Sequence, residues 1–243
     1  MLMAGLDPGA FALVALALLL GSLVQSVVGL GIGLVAAPVI TLLEPQLMPG
    51  VLISLALVLP CITLVHDHDH IDWHGLNWSL PSRVLGTTVG VWVVATFTQD
   101  QLAFFIGTIV LLAVLVTWRA VTVPINRGSL SGAGFVGGVT GTATSIGGPP
   151  FALLYQHRPP TQIRTTMAVY FLIGAAISLA GLAVSGDLEL HQVAVAGFLL
   201  PAVGAGALLG IPLRRRLPAD VVRPAVLVVS AVSALVLVVR SLL

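Results

Sequence analysis

Charged residues are scarce in this sequence. Asp, Glu and Arg together make up 8% of the 243 residues, lysine is absent, and the net charge is +1, whereas a soluble domain carries about 25% charged residues. So small and balanced a charge excludes a basic surface for nucleic acid. Hydrophobic residues make up 58% of the chain, so the composition predicts a polytopic membrane protein without a soluble domain of its own.

Cysteine and the common catalytic motifs are also missing or nearly so. The single cysteine, Cys61, excludes an internal disulfide, and it has no second cysteine nearby with which to hold zinc. The chain contains no GxxxxGK phosphate loop, no HExxH zinc motif and no GxSxG nucleophile motif. We therefore expect neither an enzyme nor a cofactor.

Long apolar runs fill the chain. A transmembrane helix needs about 20 apolar residues, and the runs with their Pro, Gly and polar breaks predict an all-α fold of about eight transmembrane helices. The predicted spans cover residues 11–43, 51–65, 76–97, 102–123, 131–154, 165–184, 193–213 and 221–242.

Two of these spans contain glycine-rich interruptions. The first span is interrupted by Gly29, Gly31 and Gly33 and then by Pro38, and the fifth reads TATSIGGPP over residues 142–150. Backbone groups freed at such a break need a partner that hydrocarbon does not offer. The breaks are therefore expected to line a cavity, with a glycine-broken first helix in each half of the chain.

The two interrupted spans are related to each other. Gly, Pro and Asp residues recur at a constant offset, first of 112 and later of 120 residues: Gly29 with Gly141, Pro38 with Pro150, Pro81 with Pro201, and Asp100 with Asp220. Such matches indicate a duplication, so we predict two repeated four-helix halves, residues 1–124 and 125–243, in one membrane domain. Repeated halves with broken helices point to a transporter whose site lies at the repeat interface.

The broken segments also favour an anion. A half-helix that begins in mid-membrane directs N–H groups and the positive end of its dipole into the cavity, although small residues also serve close packing. The predicted substrate-binding residues are Gln25, Ser26, Gly29, Gly31, Gly33, Pro38, Gly141, Thr142, Thr144, Ser145, Gly147, Gly148, Pro149 and Arg164. The remaining paired glycines are interpreted as packing residues: Gly86, Gly90, Gly206 and Gly210.

Two arginines stand close to predicted spans. Arg164 begins the sixth span, either as a fixed cation beside an anion path or as an ordinary loop residue. Arg83 follows Pro81 by two residues near the start of the third span. We interpret Arg83 as snorkelling to the membrane interface, with a fixed cation as the alternative.

A run rich in histidine and aspartate, HDHDH at residues 66–70, connects the second and third spans. His66, His70 and His74 would share one face if the run were helical, and such side chains bind zinc, nickel or copper. His66, His68 and His70 are therefore the candidate metal ligands, but a polar connector is needed here in any case. A divalent-metal carrier and a non-transporting membrane scaffold remain as alternative functions.

The glycine-rich segments resemble those of a known family. Residues 21–43, GSLVQSVVGLGIGLVAAPVITLL, and 134–154, GFVGGVTGTATSIGGPPFALL, together with the IDW at residues 71–73, are similar to motifs of the TauE/SafE sulfite exporter family, the TSUP permeases. The resemblance implies a multi-pass carrier in a bacterial inner membrane for sulfite, organosulfonates or related anions. A small anion and the lipid bilayer are then the expected partners, and self-association into a homo-oligomer is left open.

Overall fold

A computed structural model describes residues 7–28, 32–119, 123–213 and 219–242. Every regular element within these residues is helical, which confirms the predicted all-α class. In chain order the elements are α1 (Pro8–Val28), α2 (Ile32–Leu43), a short 3-10 helix (Pro45–Leu47), α3 (Gly50–Leu55), α4 (Val58–His66), α5 (Trp73–Thr96), α6 (Gln99–Arg119), α7 (Arg127–Thr144), α8 (Pro149–Tyr155), α9 (Pro160–Ser185), α10 (Leu190–Leu213) and α11 (Ala219–Arg240).

Four helices in the described part of the chain are long and apolar enough to cross a membrane: α1, α6, α9 and α10. α5 is as long, but it buries Ser79, Arg83 and Thr87 against the protein, and α7 is rich in glycine, serine and threonine. Large apolar side chains are exposed on the outer surface, among them Leu16, Trp92, Trp118, Phe198 and Val232. This surface suits contact with lipid, whereas the figure of eight crossings stays a prediction.

Each predicted interruption separates two helices, and the second helix packs back against the first. α1 ends at Val28, yet Ile32 at the start of α2 lies beside Gly21, whose Cβ position would be 3.0 Å from the Ile32 Cα atom. In a continuous helix those two residues would be about 16 Å apart. α2 therefore packs against α1, and α8 packs against α7 in the same way.

The expectation of one long, interrupted crossing at each break is therefore corrected. α2, with 12 residues, is about 18 Å long, and α8, with seven, about 10 Å. Neither helix alone spans a hydrocarbon core of about 30 Å. At each break a short helix packs beside the long helix that precedes it.

The second predicted span, 51–65, is split in a way that we did not predict. α3 ends at Leu55 and α4 begins at Val58. Pro60, in the first turn of α4, has no N–H with which to bond the carbonyl of Ala56, so the hydrogen bond that a continuous helix would form across this point is missing.

Glycines create two tightly packed helix pairs, α5 with α7 and α1 with α10. A methyl group on Gly86 would overlap the Phe135 carbonyl oxygen of α7, and one on Gly206 would overlap the Leu19 carbonyl oxygen of α1. The glycines interpreted as packing residues all meet the partner helix in this manner: Gly86, Gly90, Gly206 and Gly210. Each pair joins a helix from the first predicted half to one from the second.

We predict that Gly206→Ala destabilises the protein, because the added methyl group forces α1 and α10 apart. Overpacking of this kind typically costs about 1–3 kcal/mol, which thermal unfolding in detergent would register as a lower melting temperature. Gly204→Ala is the matched control on the same helix, since no described atom lies within 4 Å of its Cβ position. Equal melting temperatures for the two variants would contradict the close packing.

Candidate functional site

The two helix breaks lie against each other. A Cβ atom at Gly33 would be 2.7 Å from the Ser145 carbonyl oxygen and 3.1 Å from the Ile146 Cγ1 atom. Ser145 adopts a left-handed conformation, with φ of 63°, where α7 ends. The residues Gly33, Ser145, Ile146, Gly147 and Gly148 are called the glycine junction below. Breaks that stand more than 100 residues apart in sequence thus form one place in the structure.

Gln25 supports the first break. Its Oε1 atom accepts a hydrogen bond of 3.1 Å from the backbone N–H of Ile32, the first residue of α2. The first N–H groups of a helix have no partner within that helix, so the amide of Gln25 serves α2 as a capping residue would.

Threonine hydroxyls support the second break. Thr140 Oγ1 donates to the Ile146 carbonyl oxygen at 2.8 Å, and Thr144 Oγ1 accepts from Ile146 N at 3.3 Å. Both polar groups of the Ile146 backbone are therefore satisfied by side chains of α7. Thr144, predicted as a substrate-binding residue, is buried and holds the backbone of the turn.

A small pocket lies at the glycine junction. Its volume is about 50 Å³, and it is lined by both breaks together with Gln25, Ile32, Leu34, Ala56, Pro149 and Phe171. Of the predicted site residues, this pocket brings together Gln25, Gly33, Ser145, Gly147, Gly148 and Pro149.

A larger cavity of about 660 Å³ adjoins the small pocket, because Gln25 and Phe171 line both. Its walls come from α1, α4, α9 and α10. The polar and charged lining residues are Gln25, Ser26, Thr63, His66, Asp67 and Arg164. Ligand pockets typically have volumes of about 300–1,000 Å³, so the cavity is large enough to admit a small solute to the junction.

Arg164 lines the larger cavity, but its charge is partly neutralised. Its Nη2 atom lies 2.8 Å from Asp67 Oδ2, the one ion pair within the described ranges. The side chains are 28% and 44% exposed, so the pair stays in contact with solvent. An aspartate of the HDHDH run therefore accompanies the predicted fixed cation.

The HDHDH run does not form the helical face on which a metal site depends. α4 ends at His66, whose Nδ1 atom lies 2.9 Å from the Ile62 carbonyl oxygen, and His70 has a positive φ of 62°. No group of three or more His, Cys, Asp or Glu side chains in the described segments is placed to hold a metal ion. The candidate ligands His66, His68 and His70 are thus not assembled into such a group.

The remaining predicted residues that the structure describes do not line either space. Pro38 is buried within α2, and Gly141 packs against Gly147 and Arg83. Thr142 Oγ1 bonds Ser178 Oγ at 2.8 Å and so ties α7 to α9. The other two predicted residues, Gly29 and Gly31, fall outside the described residues.

Arg83 is the residue that sequence reasoning misjudged. It does not snorkel: its side chain is only 3% exposed, and its guanidinium carbon lies 4.4 Å from the centroid of the Tyr170 ring. Nε and Nη1 have no hydrogen-bond partner in the described part of the chain. An arginine in the interior of α5 is consequently held inside the protein.

One signal in the sequence could have placed Arg83 correctly. Residues at positions i, i+3 and i+7 share a helix face, and Arg83 has this relation to Gly86 and Gly90, which were interpreted as packing residues. The face that carries those glycines turns toward the protein. Pro81, two residues before Arg83, instead suggested that Arg83 lies near the start of the third predicted span, at the membrane interface.

We predict that Gln25→Leu destabilises the start of α2, because the Ile32 N–H loses its acceptor. Loss of a helix cap costs about 0.5–2 kcal/mol, measurable as a lower melting temperature in detergent. Gln46→Leu provides the control, since Gln46 makes an exposed hydrogen bond of 3.0 Å to Glu44. Unchanged stability in Gln25→Leu would show that the break is held by other contacts.

Comparison with known proteins agrees with the resemblance in the glycine-rich segments. The model of the family described as Sulfite exporter TauE/SafE matches residues 13–237, nearly the whole chain. No curated protein and no solved structure gives a match. The family consists of transporters and not of enzymes. The chain therefore belongs to the TauE/SafE sulfite exporter family of membrane transporters.

Proposed function

We propose that this protein is a secondary transporter that moves sulfite or a small organosulfonate across a bacterial inner membrane. The observation that carries the proposal is the meeting of the two breaks at a pocket beside a larger cavity. In a membrane, irregular backbone is tolerated where protein buries it or where it lines a cavity. The glycine junction meets both conditions.

The small pocket has room for a small oxyanion. A cavity needs about 10–15 Å³ to hold one water, and this pocket has about 50 Å³, so it admits a solute larger than a single water. Sulfite, with one sulfur and three oxygen atoms, is such a solute. An organosulfonate would extend its organic group into the adjoining cavity.

The lining offers donors suited to an anion. The start of α2 supplies the positive end of a helix dipole beside Gly33. The Oε1 atom of Gln25 accepts the hydrogen bond from the Ile32 N–H. The Nε2 group of the same side chain would therefore be the donor to a cargo. The Ser145 hydroxyl lies 3.4 Å from the Pro49 carbonyl oxygen, a weak bond that a better acceptor would replace.

Alternating access would then arise between the two tightly packed pairs. Glycines allow close packing of α1 with α10 and of α5 with α7. Each pair would therefore move as a unit. The contact of Gly33 with Ser145 lies between the pairs. Rocking of one pair against the other would open the junction on alternate sides.

We predict that Gly33→Ala lowers sulfite flux into proteoliposomes at least tenfold, or about 1.4 kcal/mol in the barrier. The added methyl group would meet the Ser145 carbonyl oxygen and hold the junction in one arrangement. Gly197→Ala is the matched control, because nothing described lies within 4 Å of its Cβ position. Flux is measured under mildly alkaline conditions, where sulfite stays ionised, and normalised to the protein incorporated.

Ligand-dependent stabilisation tests the cargo directly. A ligand that binds the native state raises the melting temperature by mass action, so sulfite, sulfate, thiosulfate, taurine and zinc are compared on the purified protein. A shift with a sulfur anion is expected. A shift with zinc alone, abolished in the triple variant His66→Ala, His68→Ala, His70→Ala, would favour a metal carrier instead. An unchanged melting temperature with every ligand, together with full sulfite flux in Gly33→Ala, would overturn the proposal.

A further inference from the structure

Arg83 carries a buried positive charge that the described part of the protein does not neutralise. The ion pair of Arg164 with Asp67 is the only one in the described segments. Tyr170 contributes a ring face to Arg83, which favours a cation but does not satisfy N–H groups. Two nitrogen atoms of the guanidinium, Nε and Nη1, lack an acceptor among the residues that the structure describes.

Such an arrangement is costly. Removing a charge from water is unfavourable unless the charge is paired and hydrogen-bonded, and ionisable residues within membrane segments mark functional sites by default. A structural role alone would be served by an uncharged side chain stacked on Tyr170. The retained charge therefore points to a ligand of opposite sign.

Three glycines place the guanidinium beside the glycine junction. A Cβ atom on Gly141 would lie 3.0 Å from Nη2, one on Gly147 would lie 3.3 Å from Nη1, and one on Gly174 would overlap Nε. Gly147 also lines the small pocket. Gly147 thus contacts the Arg83 guanidinium and also lines the proposed cargo site.

We propose that Arg83 is the residue that selects for negative charge in the cargo, an inference that rests on the proposed function. In a poorly polar interior a fixed charge acts across several ångströms with little screening, so Arg83 attracts an anion in the small pocket through the gap left by Gly147. The ligand class is a compound with an anionic oxyacid group. An uncharged compound of the same shape gains nothing from this residue.

The first test compares Arg83→Gln with Arg83→Lys by titrating sulfite into the purified protein. Arg83→Gln is expected to raise the Kd for sulfite at least about tenfold, because the charge is lost, whereas Arg83→Lys keeps the charge and most of the affinity. Arg127→Gln is the control, since Arg127 also stacks on an aromatic ring, that of Trp78 at 4.9 Å. Its Kd for sulfite should match that of the unmodified protein.

A second pair of variants keeps the arginine but moves it. Gly174→Ala adds a methyl group where the Arg83 guanidinium lies, so the charge must shift and sulfite affinity should fall. Gly181→Ala, on the same helix, meets only the side chains of Val91 and Thr87 at 3.0 and 3.4 Å and should bind normally. If Arg83→Gln does not fold, the comparison of Gly174→Ala with Gly181→Ala tests the role of Arg83 in its place.

The charge of the ligand is varied on the unmodified protein. Methanesulfonate and dimethyl sulfone have nearly the same shape, but only the former is an anion, so only methanesulfonate should compete with sulfite. Competition by both compounds would overturn the inference.

The outcomes separate this inference from the proposed function. Unaltered sulfite affinity in Arg83→Gln, equal losses in Arg83→Gln and Arg83→Lys, or full affinity in Gly174→Ala would overturn the role of Arg83 while leaving an anion transporter in place. If the unmodified protein binds no sulfur anion, the proposed function and the role of Arg83 fall together.

Discussion

The constraint on which the rest of this structure depends is that hydrocarbon cannot satisfy a backbone polar group. Twice a short helix packs back on the long helix before it, and side chains of the protein bond the backbone beside each break. An amide side chain, Gln25, caps the start of α2, whereas Thr140 and Thr144 bond the Ile146 backbone at the second turn. The same need is thus met by different residues at corresponding breaks.

Close helix approach brings these two turns together. Gly86 allows α5 to pack closely on α7, and Gly206 allows α10 to pack closely on α1. Each packed pair therefore contains one helix from each predicted half of the chain. The breaks extend from α1 and α7, one from each pair. Their contact through Gly33 and Ser145 brings both predicted halves of the chain to the proposed site at the junction.

Composition and the positions of glycine and proline were sufficient to predict the helical class, the two interruptions and the packing glycines, because each of these features depends on local chemistry. The turning back of α2 was not predictable from glycine and proline alone, since the same residues are found at a kink or at a turn. Pro38 and Thr142 show the corresponding difficulty within the site. Small and hydroxylated residues also serve packing and backbone bonding, and only their neighbours reveal which role each one has.

Arg83 and Arg164 illustrate how the placement of charge relates to the proposed transport of an anion. Arg164 lies in the larger cavity with Asp67 2.8 Å away, so an anion that enters there meets a nearly neutral pair. Arg83 is more fully buried and lies beside Gly147, and no carboxylate of the described residues pairs with it. For the proposed cargo, attraction would therefore be stronger at the junction than in the larger cavity. A carrier must bind its cargo where access alternates. An unpaired charge at the junction would hold the anion there, whereas the paired charge in the larger cavity would not retain the anion before it reaches the junction.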